Sequence, residues 1–183
     1  MSVQPVRRPA PPLPNRLAPP WRRSAPIERP RLLQRLTSAA DAPVFVVRAP
    51  AGYGKSTLLA QFAAIERRTI AWLALDERDD DPTVLIHDLA HALRAVAPMS
   101  EEVLAALTPS PATALPVAVP RLLHWLDGLD EPLVLVIDDV HHLLRDDARD
   151  VLRALSDGAP PGTTVVLAGR AKPPIALARL RAE

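Results

Sequence analysis

The chain has 183 residues, and its 22 Lys+Arg against 21 Asp+Glu leave a formal net charge of +1. That balance excludes polyanion binding by bulk charge alone, and the absence of cysteine excludes disulfides and thiolate metal sites. The length suffices for one compact domain plus an arm, and no apolar run approaches the ~18 residues that span a bilayer.

Residues 1–26 are dense in proline and arginine and carry no acidic side chain. Proline withholds backbone donors and blocks helix interiors, so this arm is expected to be extended or disordered. Its composition suits a solvated leader better than a docking tail for an acidic partner. The pairs Arg7-Arg8 and Arg22-Arg23 are followed by proline-broken sequence rather than an apolar export segment, so a cytoplasmic location is expected.

A helix is predicted from Pro30 through RLLQRL, since proline suits the first helical turn. Four short apolar runs then read as buried strands: Val44–Arg48, Thr69–Leu75, Leu133–Ile137 and Thr163–Ala168. None alternates strictly, which fits a parallel sheet covered on both faces. Helical patterns separate them at Lys55–Arg67, at Thr83–Val96, within the proline-interrupted stretch Ser100–Leu129, and at Asp146–Ser156. Asp81 is the expected N-cap of the second of these, with Pro82 at its first position. Strand alternating with helix predicts an α/β fold.

The first strand runs into APAGYGKST, which matches G-x-x-x-x-G-K-[ST] except that Ala49 holds the first glycine position. Strand, glycine-bearing turn and helix start turn successive backbone N–H groups and the positive end of a helix toward one point, where a phosphate would sit. Ala51, Gly52, Tyr53, Gly54, Lys55, Ser56 and Thr57 are the residues expected to bind the nucleotide. Lys55 would reach the β- and γ-phosphates, Ser56 would hold Mg²⁺, and Thr57 would lie near the α-phosphate. Gly52 and Gly54 stand where a side chain would most obstruct the approach of the backbone.

A nucleotide-hydrolysing site also needs a carboxylate at the end of a neighbouring strand. LVLVIDDVHHL supplies Asp138, assigned as the magnesium-linked acid together with Ser56, and Asp139, which could polarise an attacking water. Arg170, at the end of VVLAGR, could sense the γ-phosphate. His87 and His91 are four apart on one helix, but no third ligand accompanies them, so a solvated helix face is expected there. His141 and His142 follow the acid pair without a derived role.

Taken together, ERPRLLQRL, RAPAGYGKSTLLAQF, IAWLALDERDDDP, LVLVIDDVHHL and VVLAGRAKPPIALARLRAE resemble the ATP-binding domain of the LuxR-family, maltose-regulator-like transcriptional activators. These form a STAND-class branch of the P-loop NTPases. The resemblance covers residues 27–183, and in that family alanine or serine commonly holds the position of Ala49. It implies a three-layer P-loop NTPase fold with a mainly parallel sheet. It also implies a nucleotide-base contact from Arg29, Pro30 and Arg31, and a sensor role for Arg170. Asp76 and the Asp79–Asp81 run match a family signature with no chemistry derived for it, and His141 matches a family histidine.

The resemblance further implies an ATP/ADP switch with Mg²⁺, slow hydrolysis at most, and self-association in the ATP form. Relatives continue through a fifth strand, a winged-helix region, an inducer sensor and a DNA-binding region, none of which is in this sequence. The fold is therefore expected to be incomplete at its carboxyl end, leaving Val44–Arg48 as an apolar edge. A fragment, a truncated gene product and half of a split system all fit that expectation. No direct nucleic-acid or membrane binding is expected of these residues. Two other readings stay open: a nucleotide-dead interaction fragment, and a P-loop small-molecule kinase.

Overall fold

A computed structural model describes residues 14–20, 27, 29–38, 42–108, 113–171 and 173. Its centre is a four-stranded sheet of β1 (Val44–Arg48), β2 (Thr69–Ala74), β3 (Leu133–Asp138) and β4 (Thr163–Gly169), in the order β1-β4-β3-β2. Every pairing is parallel. The register sets Arg48 opposite Gly169 and Ala74 opposite Asp138, so all four strands end at one edge of the sheet. β3 and β4 are buried along their whole length, as runs of Val, Leu, Ile and Ala covered on both faces should be.

Two apolar layers cover the sheet. On one face α1 (Pro30–Ser38) and α2 (Lys55–Ile65) bring Leu36, Leu58, Leu59 and Phe62 against Trp72, Val134, Val136 and Val166. The other face takes α3 (Pro82–Arg94), α4 (Glu101–Ala106), α5 (Val119–Asp127) and α6 (Asp146–Asp157). Leu85, Leu89 and Leu93 of α3 meet Leu122 of α5, Val151, Leu152 and Leu155 of α6, and Leu135 of β3 in one cluster. A single π turn, Ala114–Ala118, leads into α5. The α3 start is the expected one: the Asp81 carboxylate accepts the Thr83 N–H at 2.8 Å, and Pro82 opens the helix. β1 pairs only with β4 among the described residues, so it forms an edge.

Two expectations change. The proline- and arginine-rich arm is not extended throughout: Pro14–Arg16 forms a 3-10 turn, and Arg16 is buried beside β2 and α3. The rest of that stretch, residues 1–13 and 21–26, lies outside the described residues. His87 is not on a solvated face either. α3 is buried continuously from Leu85 to Ala90, and the His87 ring sits inside with Nδ1 3.1 Å from Asp88 Oδ1. The ring of His91 lies 4.5 Å from that of His87, and no cluster of three metal-ligating side chains occurs among the described residues. None of the described helices is long and apolar enough to cross a membrane.

Candidate functional site

β1 ends at Arg48, and the chain turns through Ala49–Gly54 into α2. Gly52 (φ 78°) and Gly54 (φ 74°) both lie in the left-handed region that favours glycine. At Gly52 the requirement is conformational, because an added Cβ would meet nothing within 4 Å. At Gly54 it would also come to 3.5 Å from Nη2 of Arg29, whose guanidinium lies over the loop. Gly54 caps α2 with no side-chain hydrogen bond, leaving the first N–H groups of the helix to face the cleft.

Lys55 is buried at 8% exposure. Its ammonium folds back across the loop, donating to the carbonyls of Ala49 at 2.9 Å and Pro50 at 3.2 Å. The loop itself is tied to the next strand by the Ala49 N–H, which donates to Gly169 O at 3.3 Å. That bond brings Arg170 beside the cradle, because β4 lies between β1 and β3.

Asp138 ends β3 at 2% exposure. Ser56, at the start of α2, lies near its carboxylate and favours the charged form. Burial is the largest influence on this carboxyl and raises its pKa, assisted by the charge of Asp139. The Ser56 hydroxyl, the Asp139 N–H at 2.8 Å and the nearby Lys55 act in the opposite sense without overcoming burial. Asp139 adopts φ 57°, unusual for a residue other than glycine, and this turns its side chain into the cleft. His141 Nδ1 is buried without a hydrogen-bond partner, 3.6 Å from Asp139 Oδ1, and burial lowers its pKa.

The cleft measures 480 Å³, within the ~300–1,000 Å³ range of small-molecule sites. Ile27, Arg29, Ala51, Gly52, Gly54, Lys55, Ser56, Thr57, Asp139 and Arg170 are among its lining residues. Of the expected contacts, Arg29 reaches the cleft, while Pro30 and Arg31 open α1 and are exposed outside it. Tyr53 is 61% exposed and points away. Three lining residues escaped sequence reasoning: Ile27, Leu58, and Gln61, which donates from α2 to the Ile27 carbonyl at 3.2 Å. The i, i+4 step from Thr57 to Gln61 along α2 was the available signal. A larger cavity of 690 Å³ opens at the opposite ends of β2 and β3, around Thr69, Trp125 and Leu133. It is mainly apolar and contains none of the predicted site residues, which gather at the cleft over the cradle.

The residues present suit a magnesium nucleotide. A buried cation, oriented N–H groups and two flanking arginines face the place for phosphates. A buried carboxyl with a serine hydroxyl near it is hard-oxygen chemistry of the kind Mg²⁺ takes.

Comparison with known proteins agrees with this geometry. The family model described as an AAA ATPase domain matches residues 25–167. The chain is 32% identical over 173 residues to the HTH-type transcriptional regulator MalT of Yersinia enterocolitica serotype O:8 / biotype 1B. It is 34% identical over 170 residues to the regulator of the same name from Serratia proteamaculans (strain 568), and 34% over 174 residues to that of Yersinia pestis (strain Pestoides F). Each match covers 92% of this chain and 19% of the relative, so the chain spans about a fifth of their length. With cradle, acid pair and parallel sheet in place, the chain belongs to the AAA ATPase domain family.

Proposed function

We propose that this chain is the ATP/ADP-binding switch domain of a LuxR-type STAND transcriptional regulator, with Mg²⁺ as its cofactor and hydrolysis slow at most. The observation that carries the reading is the cleft that gathers Gly52, Gly54, Lys55, Ser56 and Thr57 of the loop and α2 with Asp139 and Arg170 from just past the ends of β3 and β4, Lys55 being buried. It joins the two halves of a phosphate–magnesium site from distant parts of the sequence. Arg29 would lie against the base or ribose, and Lys55 and the Gly52–Thr57 amides would bind the β- and γ-phosphates. Ser56 and Asp138 would hold Mg²⁺, which when bound neutralises charge on the phosphate oxygens.

Asp139 faces the same cleft and would orient a water, with His141 neutral behind it. Arg170, exposed at the end of β4, is free to move onto a γ-phosphate and so to distinguish ATP from ADP. A γ-phosphate contact that biases a two-state assembly is what a switch requires. Self-association and the action of sensor or DNA-binding regions belong to the same proposal.

The test is titration of fluorescent ATP and ADP into the purified protein, with Mg²⁺ or with EDTA, beside Lys55→Ala and a circular-dichroism check of folding. Binding lost in a folded Lys55→Ala supports the cradle. A folded wild type that binds neither nucleotide leaves the interaction-fragment reading, and phosphate transfer to an added acceptor would identify a kinase.

A further inference from the structure

Arg16 lies far from the cleft in sequence and is buried at 7% exposure, unusual for arginine. Its guanidinium is fully engaged. Nε donates to the Ala74 carbonyl at 2.8 Å, Nη1 donates to Asp88 Oδ2 at 2.7 Å, and Nη2 donates to Asp79 Oδ2. Asp76 Oδ2 stands 3.4 Å from Nε. Asp79 and Asp88 are both fully buried, at 0% exposure. Among the described residues no other lysine or arginine lies within ion-pair distance of either one. Two carboxylates in the interior call for such a partner, and a planar fork can bond a β-strand end, a turn and a helix at once.

Two chains of hydrogen bonds lead from this socket toward Asp138, buried at the end of β3, and Asp139, which lines the cleft. In the first, Ala74 ends β2 opposite Asp138, and the N–H of the next residue, Leu75, donates to the Asp138 carbonyl at 3.0 Å. In the second, the Asp79 oxygen that accepts from Arg16 also accepts the Asp76 N–H at 2.7 Å, closing the 3-10 turn Glu77–Asp80. At the end of that turn, Asp80 Oδ1 accepts the N–H groups of Leu144 at 2.6 Å and Arg145 at 2.7 Å. Those residues terminate the segment that begins with Asp139 and runs through the 3-10 turn Val140–His142. A left-handed residue such as Asp139 keeps its conformation only where its surroundings hold it.

We propose that Arg16 is a positioning residue for the nucleotide site, its guanidinium fixing the end of β2 and the Glu77–Asp80 turn so that Asp138 and Asp139 are held ready for the magnesium-bound nucleotide. The proposal rests on the nucleotide-site reading above, and it gives the Asp76–Asp80 run a role: it is the brace between the amino-terminal segment and the cleft.

The experiment uses Arg16→Lys, which keeps the charge and loses the fork, Arg16→Ala with and without added ethylguanidinium, and Asp80→Ala. The last breaks only the second chain, at a partly exposed side chain. Amide hydrogen exchange is read at Leu75, Leu144 and Arg145 against Val166 in β4, and ATP affinity is read with Mg²⁺ and with EDTA. In Arg16→Lys, exchange at Leu144 and Arg145 should accelerate about tenfold with Val166 unchanged. Magnesium-dependent affinity should fall about tenfold while magnesium-free affinity, set by Lys55, moves less than about twofold. Asp80→Ala should reproduce the selective loss, and ethylguanidinium should restore Arg16→Ala.

Wild-type exchange and affinities in a folded Arg16→Lys overturn the proposal. So does an equal loss of both affinities in Arg16→Lys and Asp80→Ala together with faster exchange at Val166, which would make the network a fold contact only. A wild type that binds no nucleotide defeats the function reading instead, and the exchange at Leu144 and Arg145 then decides by itself whether Arg16 braces that segment.

Discussion

Replacing Asp138 by asparagine should stabilise the free protein and abolish its response to magnesium. Asp138 is 2% exposed, and burial is the main reason its carboxyl pKa is raised. The folded state therefore holds the proton more tightly than the unfolded chain, and the stability tied to that proton is lost as pH rises through the folded pKa. At neutral pH a charged, incompletely compensated carboxylate costs on the order of 1–3 kcal/mol. Asparagine keeps an acceptor for Ser56 and removes the charge, so about 1 kcal/mol, or roughly 4 °C for a domain of this size, should be regained. Nucleotide reverses the ranking. At one hundred times Kd a ligand stabilises the native state by about 2.7 kcal/mol, and the magnesium-dependent share of that should vanish in Asp138→Asn. Thermal unfolding with no ligand, with ATP and EDTA, and with ATP and Mg²⁺ measures all of these quantities. A free Asp138→Asn less stable than wild type, or one that keeps the full magnesium-dependent shift, would refute the reasoning.

Lys55→Met retains the apolar stem and removes the ammonium proposed to bind the phosphates, so isothermal titration should show affinity for ATP and ADP falling about 100-fold. Arg170→Ala removes an exposed side chain, leaving thermal unfolding unchanged, and should weaken ATP about tenfold in the same titration without affecting ADP. The Asp79 carboxyl is pushed up to about 6, by burial first and then by the Asp88 and Asp76 charges, while the Asp76 N–H and the Arg16 charge act in the opposite sense. The stability tied to its proton is nearly complete at pH 4 and is lost as pH rises through about 6, so wild type should lose roughly 2 kcal/mol relative to Asp79→Asn between pH 4 and 7. Urea unfolding at several pH values gives that difference, and a difference independent of pH would count against the assignment.

The parts of this molecule written locally were legible. Val44–Arg48 is a strand with the predicted bounds, and the other three differ from prediction by a single residue at the carboxyl end, because apolar runs of this length between helical patterns leave few alternatives. The cradle was legible for the same reason, its spacing, glycines and lysine all lying within nine consecutive residues. What was not legible depends on distance or rotation. Arg16 sits in a stretch whose composition predicts an arm, and its partners lie 58 to 72 positions away. No local pattern marks which arginine of such a stretch will be buried. His87 was misread because α3 is buried nearly all round where it passes between the sheet and α6, so helical spacing alone could not assign a wet face. Arg29 and Pro30 are neighbours in the chain, yet α1 begins between them, and only the first faces the cleft.

The electrostatics of the cleft suggest why such a domain would respond to nucleotide at all. Lys55 is held inside by loop carbonyls and Asp138 by the Asp139 N–H, with the Ser56 hydroxyl nearby, so each charge is bonded but neither is paired directly with the other. Burying both is a cost carried by the four-stranded core around them. An anion delivered to Lys55 and a cation delivered to Asp138 relieve the two costs together, which neither phosphate nor magnesium does alone. The features that make the free fold less stable than its core allows are thus the ones through which a magnesium nucleotide would stabilise it. With Arg170 reaching only a γ-phosphate, that gain would differ between ATP and ADP, and a difference in binding energy between two ligands is the physical content of a switch.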